Sequence, residues 1–168
     1  MTVSVYEASI PTFIHTLTSL KTILEKGAAH AESKKIDPAV LVQSRLFPDM
    51  FPLARQVQIA TDAAKGAVAR LTATEPPKFE DTETTFAELI ARVDRTIDYL
   101  KGFSASQLDG SEQRTIVLKN SRGERTFTGL VFLRHWAMPN FFFHVTTTYN
   151  ILRSAGVELG KGDFLGNP

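Results

Sequence analysis

Apolar residues recur along this chain at spacings of three and four, and four stretches carry that period far enough to predict long helices. In the first, about Tyr6 to Ala31, one stripe holds Ile10, Phe13, Ile14, Leu17, Leu20 and Leu24. Pro11 fits a helix only in its first turn, which moves the expected regular start to near Ser9. Asp37 before Pro38 caps a short helical piece through Gln43. The run Leu46-Phe47-Pro48-Asp49-Met50-Phe51-Pro52 is an apolar connector with two rigid bends. The second long helix, about Pro52 to Leu71, places Leu53, Val57, Ala60, Ala64, Val68 and Leu71 inward. Thr74-Glu75-Pro76-Pro77 ends it in a stiff linker.

The third helix has the sharpest start. Thr85 and Glu88 form a capping box, Phe86, Leu89, Ile90, Val93, Ile97 and Leu100 hold the period, and Gly102 ends it. The pattern then turns β-branched from Arg114 to Leu118, passes a turn at Asn120-Ser121-Arg122-Gly123, and returns over Arg125 to Phe127. Thr128 caps a fourth helix, about Gly129 to Ala155, which Pro139 should kink and Gly156 should stop. The tail from Val157 to Pro168 reads as an extended surface strap. Long helices with short connections predict an all-α fold, a four-helix bundle with a short β-hairpin before its last helix. A three-helix core with a docked hairpin is the alternative.

Composition narrows the function classes. A chain of 168 residues with 43% hydrophobic content suits one domain over 1–168. Nineteen basic against eighteen acidic residues provide no basic excess for nucleic acid or a membrane surface. The absence of cysteine removes disulfides, thiolate metal sites and cysteine nucleophiles. No signal-peptide pattern and no membrane-length apolar run is visible, so the default expectation is a bacterial-type cytoplasmic protein. There is no P-loop, no dinucleotide fingerprint, no His-Glu-x-x-His and no nucleophile elbow.

Candidate chemistry gathers on the fourth helix. Leu133, Trp136, Asn140, His144, Thr147 and Ile151 share a face, which places Asn140 and His144 as polar groups on a buried stripe. A buried imidazole needs a hydrogen-bond partner, and on the second helix either Gln56 or Gln58 can supply an amide. The commoner use of such a histidine is structural; the functional use is as a general base or a metal ligand, His144 being the candidate catalytic residue. Asp62 is the nearest carboxylate and is expected to be exposed. His15 lies off its stripe, His30 sits at a helix end, and His135 points about half a turn away from His144. Phe141-Phe142-Phe143 aims three rings in three directions, more than one core absorbs, which suggests a homodimer face or a pocket wall.

The segment from His144 through Leu152-Arg153 to Gly156 resembles the closing helix of the DinB-like (DinB/YfiT) superfamily, and the helix order is similar too. Asp49–Leu53, Arg55–Gln58, Phe79–Phe86, Pro139–His144 and Asp163–Gly166 resemble an uncharacterised bacterial branch of it. That resemblance covers essentially the whole chain and implies a three-histidine divalent metal site, such as Zn²⁺ or Ni²⁺, and in some members thiol-transferase or thiol-dependent isomerase activity. His144 matches the last ligand, Asn140 stands at the place of another histidine, and Gln56 or Gln58 stands at the third. Amide oxygens are poor ligands for such metals, so a degenerate pocket without tightly bound metal or other cofactor is expected at Gln56, Asn140 and His144. The resemblance also implies pairing through helices. The possible partners are therefore a second copy of the chain and a small molecule near His144; a partner-binding or stress-response role is the remaining alternative.

Overall fold

The structure, a computed structural model, describes residues 3–120 and 123–166. Four long helices form the bundle: α1 (Val5–Lys34), α3 (Leu53–Thr72), α4 (Phe86–Lys101) and α6 (Met138–Ser154). Between them lie α2 (Pro38–Val42), the strands β1 (Thr115–Asn120) and β2 (Gly123–Thr128), the single turn α5 (Gly129–Phe132) and a π-helical turn at Leu133–Ala137; α7 (Lys161–Leu165) follows α6. The fold is the all-α bundle with an antiparallel hairpin ahead of the last long helix, as the periodicity predicts. α3 packs mainly on α6 and α4, and α1 packs on α4 and α7. Among the described residues no helix is long and apolar enough to cross a membrane.

Local chemistry explains most boundaries. Thr85 and Glu88 make the reciprocal cap: Glu88 N donates to Thr85 Oγ1 at 3.2 Å, and Thr85 N donates to Glu88 Oε2 at 3.0 Å. Asp37 caps α2 through Ala39 N at 2.9 Å. α1 differs from expectation. A second capping box, Ser4 with Glu7, starts it at Val5 and leaves Pro11 in the helix interior. Pro11 lies on the exposed side, so the Glu7 carbonyl that loses its helical partner faces water. α1 also runs past Ala31 to Lys34, closing with Lys35 in the left-handed conformation. The hairpin pairs Thr115 with Thr128 through Asn120 with Gly123, while Ser121 and Arg122 of the expected turn lie outside the described residues. At the start of α5, Gly129 lies so close to the Ser111 carbonyl that a Cβ would clash with it.

Pro139 interrupts the last helix in a specific way. The π turn immediately precedes α6, and the chain passes through it without leaving helical dihedrals. A wider turn absorbs the missing N–H and the crowding of the proline ring. The tail also departs from the expected extended strap. Val157 and Leu159 are buried, α7 docks on α1, and Lys26 Nζ bonds Asp163 at 2.6 Å. His15 is exposed as expected, but its Nε2 donates to the Leu165 carbonyl at 2.5 Å.

One charge sits at the centre of the packing. Arg92, at 0% exposure, points from the inner face of α4 toward α3 and the 73–84 linker. Its Nε donates to Thr61 Oγ1 at 2.8 Å. Nη1 donates to Glu80 O and Glu83 Oε1, both at 3.1 Å, while Nη2 reaches Asp62 at 2.9 Å and Asp81 at 3.0 Å. Thr61, Glu80, Glu83 and Asp62 accept hydrogen bonds from the guanidinium and Asp81 adds a second carboxylate beside Nη2, so the buried cation is both bonded and neutralised. We therefore expect Arg92→Leu to lose about 3–5 kcal/mol, since it strands Glu83 in the interior. Arg92→Lys should recover only part of that, because an ammonium has three donors. Urea unfolding measures both; a loss in Arg92→Leu under about 1 kcal/mol would contradict this assignment.

Candidate functional site

α3 places two glutamines two residues apart, so their side chains leave the helix about 200° apart. Both are buried, although a boundary or surface position is the ordinary one for glutamine. The structure separates their roles. Gln58 belongs to the Arg92 cluster: its Nε2 donates to Glu83 Oε2 at 3.1 Å, and its Oε1 accepts from Arg55 at 3.2 Å. Gln56 faces α6, where its Oε1 lies 2.7 Å from His144 Nδ1.

The geometry settles the histidine's tautomer. Gln56 Nε2 lies 3.1 Å from the Phe51 carbonyl, which only accepts, so the amide NH₂ must point there. Gln56 Oε1 then faces His144 and can only accept, so Nδ1 carries the proton. In the neutral ring Nε2 holds the lone pair. His144 is 8% exposed, and burial, followed by the nearby Arg55 charge, holds its pKa below the usual histidine value. The Phe143 ring stands edge-on to the imidazole, centroids 5.2 Å apart. Phe143 is 58% exposed, and Phe51, whose backbone carbonyl holds Gln56, is 55% exposed. The site presents an uncharged hydrogen-bond acceptor with one aromatic ring edge-on beside it.

Asn140 does not take the buried place expected for it. It is exposed, because at its level α3 carries small residues such as Ala63 and Ala67, and a cavity opens between α3, the hairpin and the π turn. Among the described residues no hydrogen bond joins Asn140 to His144 or Gln56. Trp136, also expected on the buried stripe, is half-buried beside that cavity. Asp62 is partly exposed but committed, bonding Arg92 and, at 3.0 Å, Lys65. His30 lies beside Gly156, and His135 is exposed; neither approaches His144. Of the three phenylalanines, Phe141 is buried against Phe13, Phe142 is half-buried and Phe143 is exposed. The tail does not cover that last ring: Phe164 packs on Tyr149 instead.

The donor set does not fit a transition-metal centre. It comprises one imidazole whose Nδ1–H is already used, one buried amide and one exposed amide. Imidazole and thiolate are what Zn²⁺ and Ni²⁺ prefer. Among the described residues no group of three or more His, Cys, Asp or Glu side chains is arranged to hold a metal ion.

The Arg92 cluster escapes a reading based on apolar period, yet its signal is present. Arg92 and Thr96 fall three and seven residues after Leu89, on the inward stripe of α4. Two polar residues on an apolar face announce a buried network.

A pH titration tests the site. His144 is neutral in the folded state where an unfolded histidine is already protonating, so the unfolded chain binds more protons there. Its stabilising contribution is complete above about pH 6.5 and is lost as pH falls through the lowered folded pKa. Imidazole nitrogen NMR should show Nδ1–H and a pKa below about 6.5. His144→Gln should flatten the stability profile on the acid side. A dominant Nε2–H tautomer or a raised pKa would refute the geometry.

The comparisons with known proteins agree with the fold. A family model described as a domain of unknown function, DUF1993, matches residues 5–165. A crystal structure of a DinB family member protein from Shewanella denitrificans is similar at 44% identity and a TM-score of 0.92, covering 97% of this chain and 92% of that one. No functionally curated protein matches the chain. With matched residues reaching from α1 to α7 on a DinB-like bundle, the chain belongs to the DUF1993 family, a DinB-like group of unknown function.

Proposed function

We propose that this protein works without a metal, as a binding bundle whose family metal position has become a self-satisfied Gln56–His144 pair. The observation that carries the reading is the 2.7 Å contact between His144 Nδ1 and Gln56 Oε1, with the amide fixed from behind by the Phe51 carbonyl. An imidazole in a metal site directs a lone pair at the cation and its remaining N–H outward. Here the pair consumes an N–H and an amide oxygen against each other. Nε2 alone remains available, and one nitrogen beside amides does not make a tight site. The same neutral ring has the protonation state of a general base. Its orienting partner is an amide, however, and a carboxylate in that place would stabilise the imidazolium that base catalysis forms.

Elemental analysis of protein purified without chelator should find well under one equivalent of zinc or nickel. Added Zn²⁺ should leave the melting temperature unchanged. About one equivalent of metal, lost in His144→Ala, would overturn the reading.

A second reading concerns self-association. Phe143, at 58% exposure, stands edge-on to His144, and Phe51, at 55%, lies on the connector whose carbonyl holds Gln56; the C-terminal segment leaves both exposed. Exposed aromatic rings are the raw material of an interface core. We propose a homodimer through the helix face bearing Phe143, away from the hairpin edge. Sedimentation at micromolar concentration should give twice 18.6 kDa, and Phe143→Ser should shift the population to monomer. A wild-type protein that stays monomeric under those conditions would rule it out.

A further inference from the structure

The cavity at Asn140 has the makings of a ligand site distinct from the Gln56–His144 pair. It is an open cleft of about 280 Å³, just under the volume of about 300 Å³ at which small-molecule sites begin. Its apolar walls come from three elements: Ala63 and Ala67 of α3, Leu118 of β1, and Phe132 with Trp136 around the π turn. Small side chains on one wall and an indole on another leave a gap suited to a flat body. π turns within helices are frequent at functional sites, and this one places Trp136 at the cavity. Arg125, 4.9 Å from the indole centroid, and Phe127, at 5.9 Å, fix the ring in place.

The polar rim decides the ligand's charge. Asp62 lines the cavity, but Arg92 and Lys65 neutralise it. Lys119 is paired with Glu124 at 3.0 Å. Arg70 has no carboxylate partner among the described residues. Its Nη1 donates to the Gly66 carbonyl at 2.8 Å, which orients the guanidinium and leaves other N–H groups for a ligand. Asn140, exposed at the same cavity, adds an amide. The uncommitted charge is therefore positive and of the kind that pairs with carboxylates in a forked geometry.

We propose that this cavity binds a small organic carboxylate with a flat apolar body, the acid group on Arg70 and the ring against Trp136. Trp136 is the single tryptophan of the chain, so its fluorescence reports occupancy directly. Benzoate and phenylacetate are the probes, each compared with its uncharged primary amide. The expected result is a saturable change in emission with about millimolar affinity for the acids, as befits ligands of so few atoms. The amides should bind about tenfold more weakly to the wild type. Arg70→Gln should weaken the acids by about tenfold and leave the amides unchanged, with an unaltered melting temperature. The proposal is overturned if neither acid gives a saturable signal, if acid and amide bind the wild type alike, or if Arg70→Gln keeps full affinity for the acids. The acid–amide comparison on the wild type stands even where the variant folds poorly.

Discussion

Burying Arg92 constrains everything around it. A guanidinium cut off from water is tolerable only when acceptors surround it in its own plane. No single helix can supply them. Thr61 and Asp62 come from α3, and Glu80, Asp81 and Glu83 come from the linker between α3 and α4. The linker, irregular as it is, is therefore held in one course. Further cations keep the carboxylates from repelling one another: Lys65 on Asp62, Arg55 on Asp81 and Arg95 on Glu83. Phe79 lies beneath Lys65, Arg92 and Arg95, with Lys65 Nζ 3.9 Å from the ring centroid. The net contribution of such a cluster to stability is small or even unfavourable beside an apolar core of equal volume. What it supplies is a single way of seating the linker on α3 and α4.

That seating reaches the candidate site through α3. Gln58 and Gln56 leave the helix on nearly opposite sides, one bonded to Glu83 and the other to His144. Arg55 connects the two regions: it pairs with Asp81, bonds Gln58, and its charge helps hold His144 neutral. The rotation of α3 about its axis is thus pinned from both sides. A helix rich in small inward residues, such as Ala60, Ala64 and Ala67, would otherwise have little shape to fix its rotation.

The helices and the hairpin were legible because their signals are local. The capping box of Thr85 and Glu88, the Asp37 cap and the β-branched run each act within a few residues. What was not legible depended on partners distant in sequence. Periodicity placed both Gln56 and Gln58 near the core, but only the packing of α3 on α6 shows which one meets His144. Arg92 escapes a reading by pattern because charged residues are rarely fully buried, and its acceptors lie nine to thirty-one residues away. Asn140 was expected inside because its helix face is inward; the small residues opposite it on α3 open that face to a cavity. The tail looked like a strap because its glycines mask the buried Val157 and Leu159.

The chemistry of the Gln56–His144 pair also bears on the proposed metal-free reading, because it accounts for how such a bundle would keep its shape without a cation. Three imidazoles converging between helices place lone pairs against one another, and a cation relieves that arrangement. An amide offers a donor and an acceptor on one side chain. Gln56 uses its NH₂ on the backbone of the preceding connector and its oxygen on the ring, so both groups are satisfied within the protein. Asn140, where the cavity opens, needs no internal partner because water can reach it. Neither amide therefore leaves a buried polar group unpaired, and on the proposed reading amides at those two positions let the helices keep the spacing that three imidazoles around a metal would set.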